Sequence, residues 1–223
     1  MAEALEKIAA AEAERSAGSS TDQAEAEQAF LEVLDQAIEA VEGSGVPYLL
    51  MGGIASAALG RPRYTQDVDI FVRPQEGRVV LDALDDAGFE TEERFPHWLY
   101  KGYKDGQMVD VIFRSTGDIY LDDEMLARAV VREFKGRSLS LVPPEDMVVI
   151  KAIAHDEYTP RHWHDALAIV AACRLDWEYL LSRARRGARR VLSLLLYAQG
   201  NDLIVPDDVI RSLFQSIYEG EVS

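Results

Sequence analysis

Cysteine is nearly missing from this chain: Cys173 is the only one in 223 residues. An internal disulfide is therefore excluded, and stability has to come from packing. Long apolar runs are missing too, so nothing reads as a membrane span. The Ala/Glu-rich start lacks the layout of a signal or transit peptide. Basic residues are outnumbered, with 23 Lys and Arg against 39 Asp and Glu. A general nucleic-acid binder carries the opposite balance. Together these absences point to a cytoplasmic protein, and a 48% apolar share is enough for a sizeable core.

The acidity is unevenly spread. Residues 1–45 hold eleven acidic and two basic side chains, a net of -9 out of the total of -16. Residues 1–22, rich in Ala, Glu and Ser, read as an acidic segment that is disordered or only partly helical. One stretch runs the other way. SRARRGARR, residues 182–190, carries Arg183, Arg185, Arg186, Arg189 and Arg190. It is either a solvated helix face or a patch that would contact the phosphates of an RNA.

Hydrophobic spacing sets the organisation. Phe30, Leu34, Ile38 and Val41 form one stripe of a helix over 23–42, which Gly43-Ser44-Gly45 ends. Residues 46–51 read as a short buried strand, 53–59 as a short helix, 67–72 as a second strand and 76–87 as a helix. Residues 98–113 read as a hairpin around Asp105-Gly106, and 132–142 as one further strand. From Pro143-Pro144 onward the pattern is helical, over about 144–156, 161–173, 176–186, 188–199 and 206–219. The expected organisation is a mixed α/β core over 23–142 and a helical part over 143–223.

The chemistry concentrates in residues 51–72, MGGIASAALGRPRYTQDVDIFV. Asp67 and Asp69 interrupt an apolar strand and, two residues apart, share one of its faces. Two carboxylates that close repel, and one would hold its proton unless a cation neutralised them. Carboxylate oxygens suit Mg²⁺. Asp110 interrupts another apolar strand, Met108 to Phe113, in the same way. Three acids on neighbouring strands can hold two metal ions, an arrangement suited to in-line phosphoryl displacement. Gly52-Gly53 falls between a strand and a helix, where bare backbone and helix-start N–H groups favour phosphates.

These residues together resemble the nucleotidyltransferase superfamily, with its DNA polymerase beta-like fold. Its signature is a hydrophobic residue, Gly-Gly/Ser, a gap, Asp-x-Asp/Glu and a third acid on a later strand. Here that is Met51-Gly52-Gly53, Asp67-Val68-Asp69 and Asp110. The lead-in Arg63-Tyr64-Thr65-Gln66-Asp67 is similar to that of small bacterial members of the abortive-infection toxin type. Gly53 stands where many members carry Ser, which removes one hydroxyl contact to phosphate.

The resemblance covers about residues 46–170 and implies an α+β fold, a nucleotidyltransferase-like mixed β-sheet with flanking helices followed by a helical C-terminal part. It implies transfer of an NMP group from an NTP to RNA (tRNA included), protein or a small molecule, and a toxin with an antitoxin partner. Two Mg²⁺ ions (Mn²⁺ as a substitute) would sit on Asp67, Asp69 and Asp110, which are the catalytic set. Gly52, Gly53, Arg63, Thr65 and Lys151 would bind the triphosphate.

Lys151 is the single charge in MVVIKAIA, residues 147–154. A lysine in so apolar a helix either snorkels or meets an anion. Relatives of the toxin type carry a lysine on a similar helix, which favours a phosphate contact. Arg161 and Asp165, four apart, are placed for an ion pair at the edge of the site. Two rival readings stay open. His155-Asp156, His162 and His164-Asp165 are similar to the ligands of HD-type phosphohydrolases, although their spacing is short. The same fold could also serve as a catalytically silent nucleotide- or partner-binding module.

Overall fold

A computed structural model of the chain describes residues 24–60 and 65–218. The acidic segment 1–22 and Arg63 lie outside the described residues.

Helix α1 (24–43) presents Phe30, Val33, Leu34, Ala37 and Val41 to the core. It ends where Gly45 takes a left-handed φ of 72°. A two-residue strand, β1 (Leu49–Leu50), leads into helix α2 (Gly52–Leu59) and strand β2 (Asp67–Phe71). A 3₁₀ turn at Pro74–Glu76 starts α3 (Gly77–Asp86). Strands β3 (Glu90–Phe95), β4 (Leu99–Lys104) and β5 (Gln107–Ile112) follow as a meander. Asp105 and Gly106, both with positive φ, make the tight turn between β4 and β5 that an Asp-Gly pair favours. Helix α4 (Asp123–Ala127) is capped by the Asp122 carboxylate, which accepts the Met125 N–H. Strands β6 (Val130–Phe134) and β7 (Arg137–Leu141) then precede α5 (Pro144–Ala154), α6 (Arg161–Ala172), α7 (Trp177–Ala184), α8 (Ala188–Gln199) and α9 (Asp207–Tyr218).

The seven strands form one mixed sheet in the order β3-β4-β5-β2-β1-β7-β6. β2 runs parallel to β5 and β1 parallel to β7, while the other neighbours are antiparallel. This is the expected mixed sheet with flanking helices and a helical C-terminal part. A single apolar cluster runs from Phe30 on α1 to Ile217 on α9, so the C-terminal helices share the core of the sheet. Ion pairs from Lys135 to Glu27 and from Arg137 to Asp35 fasten α1 to the β6–β7 hairpin.

Three expectations need correction. Residues 132–142 are not one strand but most of a hairpin, because Lys135 and Gly136 both take positive φ and reverse the chain. The strand expected over 46–51 shrinks to Leu49–Leu50. β3 was not expected, since ETEERF alternates nothing apolar. Among the described residues it sits at the sheet edge and pairs with β4 alone, a position where charge guards against pairing with another chain.

Candidate active site

The site begins at the break between β1 and α2. Gly52 opens α2 with a φ of 60°, a left-handed conformation that suits glycine. Its missing side chain has a local purpose: a β-carbon there would overlap the carboxylate of Asp69. The Gly53 N–H donates to Asp69 Oδ2 at 3.3 Å. In this structure the glycines therefore cradle a carboxylate of β2 directly.

The parallel pairing of β2 with β5 sets Asp69 opposite Asp110, and Asp67 opposite Met108. Asp67 lies two residues back on the face that Asp69 occupies. The antiparallel pairing of β5 with β4 sets Lys101 opposite Asp110. Lys101, Asp110 and Asp69 thus form a row across three adjacent strands. Lys101 Nζ is 2.6 Å from Asp110 Oδ1, with both side chains largely buried. The same ammonium lies 2.9 Å from Met108 Sδ.

The crowding of acids shows in their acidity. Asp69 is pushed up to about 6, first by burial and then by the facing charge of Asp110. The Gly53 hydrogen bond and the charge of Lys151 pull it back, while Asp67 adds a smaller push upward. Asp110 is also raised by burial, against the pull of Lys101. Burial is the first cause of both shifts, and repulsion from the neighbouring acids adds to it.

Helices α5 and α6 form the opposite wall. Lys151 is only 4% exposed and pairs with the fully buried Asp165 at 3.1 Å. Asp165 thus reaches across the helices to Lys151, and Arg161, four residues earlier, is exposed. Between sheet and helices lies a cleft of about 630 Å³. Gly52, Asp69 and Asp110 line it on one side, and Lys151 and His162 on the other. The segment 114–118 and Trp98 complete its rim. Thr65 Oγ1 donates to the Asp67 carbonyl at 3.4 Å, which holds the lead-in to β2.

Sequence reasoning missed Lys101, Trp98 and Arg114, and assigned His162 to a different chemistry. His162 falls to about 4, through burial and the charges of Lys151 and Arg161, so it is neutral at pH 7. Its Nδ1 and that of His155 are buried with no hydrogen-bond partner among the described residues. The His155 ring packs on Trp163 with centroids 4.7 Å apart. Asp156 binds the Tyr158 and Thr159 N–H groups of its own turn.

Among the described residues no three His, Cys, Asp or Glu side chains stand close enough to hold one metal ion. The three histidines of the second half accordingly form no such cluster among the described residues. The acids of the sheet are likewise no closed cage. Mg²⁺ does not require one, since it commonly takes one or two carboxylates together with substrate phosphates and water. Asp67 and Asp69, hard oxygen donors in a site with surplus negative charge, fit that ion.

The arginine cluster divides. Arg183 is held between Asp146 and Asp122, Arg186 donates to the Asp118 carbonyl and Arg190 to the His155 carbonyl. Arg189 lies over the Tyr218 ring, and Arg185 is exposed.

A mixed sheet with a Gly-Gly turn and acids in register on adjacent strands defines the nucleotidyltransferase class. The chain belongs to the family described as uncharacterised nucleotidyltransferase, whose model matches residues 2–200. No curated protein matches it. Among solved structures it is similar to the lincosamide antibiotic adenylyltransferase LnuA with lincomycin bound, at 18% identity, 66% of this chain, 98% of that one and a TM-score of 0.47. It is also similar to the antibiotic-resistance factor ANT(2'')-Ia, at 16% identity, 76% and 91% of the two chains and a TM-score of 0.49. A third is an antigenic nucleotidyltransferase-like protein from Paracoccidioides brasiliensis, at 13% identity, 82% and 94% coverage and a TM-score of 0.46. The toxin-type part of the resemblance finds no support in these comparisons. Among the described residues no helix is long and apolar enough to cross a membrane.

Proposed function

We propose that the protein transfers a nucleoside monophosphate from an NTP to an acceptor hydroxyl. The observation that carries this reading is the register of Asp69 with Asp110 beside the Gly52-Gly53 turn. Asp67 and Asp69 would hold Mg²⁺, which when bound offsets the charge of the triphosphate and of the developing transition state. The N–H groups of Gly52 and Gly53, the Lys151 ammonium, Thr65 and Arg63 would seat the phosphates. Asp110 accepts the proton of the acceptor hydroxyl. The freed oxygen forms a bond to the α-phosphorus, the bond to the bridging oxygen breaks, and pyrophosphate leaves.

The cleft, at about 630 Å³, is of ordinary size for a small-molecule site. With three of the five arginines bonded within the chain, a small hydroxyl compound is the favoured acceptor over RNA. The test supplies each α-labelled NTP with Mg²⁺ and total cell extract. Label is expected in the metabolite fraction and lost with Asp69→Ala. Label in RNA or protein would reassign the acceptor. Nucleotide binding with no label in any fraction would identify a silent binding module. The toxin role is tested by growth arrest on expression, which Asp69→Ala should relieve.

A further inference from the structure

Lys101 stands out because the proposed chemistry does not require it, yet it occupies a central place in the site. Its side chain is 14% exposed, that of Asp110 is 15% exposed, and Nζ lies 2.6 Å from Oδ1. A charge-assisted hydrogen bond of that length, shielded from water, is among the stronger side-chain contacts. Among the described residues, the other cations that line the cleft have carboxylates of their own: Lys151 pairs with Asp165, and Arg114 Nε donates to Asp118 at 2.6 Å. Glu92, in register on the far side of Lys101, accepts from Arg94. The charge of Lys101 is therefore directed at Asp110.

This position matters for the number of metal ions. A second ion on the acceptor side would draw on Asp110, the remaining acid of the row, since each Mg²⁺ commonly takes one or two carboxylates. Here one oxygen of that acid already holds an ammonium. An ion bridging Asp69 and Asp110 would have to displace Lys101 and leave its charge half-buried without that carboxylate, which is costly. Asp67 and Asp69 carry no such competitor among their described contacts; the Gly53 N–H touches Asp69 only at 3.3 Å.

We propose that Lys101 takes the place of the acceptor-side metal: it holds Asp110 as the proton acceptor and leaves one divalent ion, on Asp67 and Asp69. Lys101 is thus a positioning residue that acts through Asp110. The inference rests on the transfer activity proposed above.

The test is Mn²⁺ stoichiometry, read by electron paramagnetic resonance on the full chain with an NTP analogue that cannot be cleaved at the α-phosphorus. One nucleotide-dependent Mn²⁺ per chain is expected for the parent and for Lys101→Arg. Two are expected for Lys101→Met, which frees Asp110 as a ligand. With cleavable NTP, Lys101→Met should lower kcat by about 100-fold, within the range for misplacing a general base, and change the KM for NTP little. Lys101→Arg should restore most of it. Two Mn²⁺ ions in the parent would overturn the inference and leave the transfer reading standing. No nucleotide-dependent Mn²⁺ at all would overturn both.

Discussion

Gly52 and Asp69 share one volume: the space a side chain at Gly52 would fill is taken by the Asp69 carboxylate. The turn and the strand that carries Asp69 are therefore a single unit. Gly52→Ala faces two penalties, a left-handed φ of 60° that costs an L-residue about 1–2 kcal/mol, and the overlap itself. It should lower stability by more than the backbone term alone and abolish nucleotide transfer. Gly43→Ala, which meets nothing within 4 Å, should leave both unchanged. Urea denaturation and the labelled-NTP assay on the two variants make the comparison.

Proton and metal should compete at Asp69. Its carboxyl is pushed up to about 6, so at lower pH it is protonated and closed to a cation. Mn²⁺ affinity should fall about tenfold per pH unit below that point, as expected when a ligand must lose a proton first. Binding near pH 6 should release protons, detectable by calorimetry in buffers of different ionisation enthalpy. Asp110→Asn removes a charge that raises Asp69, so it should move the fall in affinity to lower pH.

The row of charges that builds the site was largely legible in the sequence. Asp67 and Asp69 announce themselves as carboxylates in an apolar strand. Lys101 was readable too: counting back from a two-residue turn at Asp105-Gly106 sets Lys104 against Gln107 and Lys101 against Asp110, as observed. No motif singles it out, since most lysines on strands are solvated. β3 carried no signal because an edge strand buries little and needs no alternation. The partners of Asp165 and Arg183 lie on other elements, and no spacing rule reaches them.

The Lys151–Asp165 pair spans two helices with 4% and 0% of the residues exposed. Removing one member of a buried pair typically costs about 3–5 kcal/mol, because the other charge loses its compensation. Asp165→Ala should fall in that range. Lys151→Met/Asp165→Leu, which removes both charges, should be less destabilised than Asp165→Ala. A urea titration of the set measures this, and equal losses in the single and the double variant would show that packing, not charge, is at stake.

Arg183 tests whether the arginine cluster is structural or contacts RNA. Its guanidinium Nε donates to Asp146 at 2.6 Å, and Nη1 donates to Asp122 at 2.5 Å. Asp146 is 1% exposed and also accepts the Tyr179 hydroxyl at 2.6 Å. Even so, burial pushes Asp146 up to about 6. An acid raised on folding favours the folded state while protonated, and that contribution is lost as pH climbs from about 4 through 6. Arg183→Ala takes away a cation that lowers Asp146, so the loss should extend to higher pH. The variant should be destabilised by about 3–5 kcal/mol at pH 7 and by less at pH 5, where Asp146 can protonate. Arg185→Ala and Arg189→Ala, on exposed positions, should stay within about 0.5 kcal/mol of the parent. Thermal melts at the two pH values read the difference. If Arg183→Ala melts like the parent while Arg185→Ala and Arg189→Ala lower labelling of RNA, the cluster contacts nucleic acid, and the small-molecule acceptor reading fails with it.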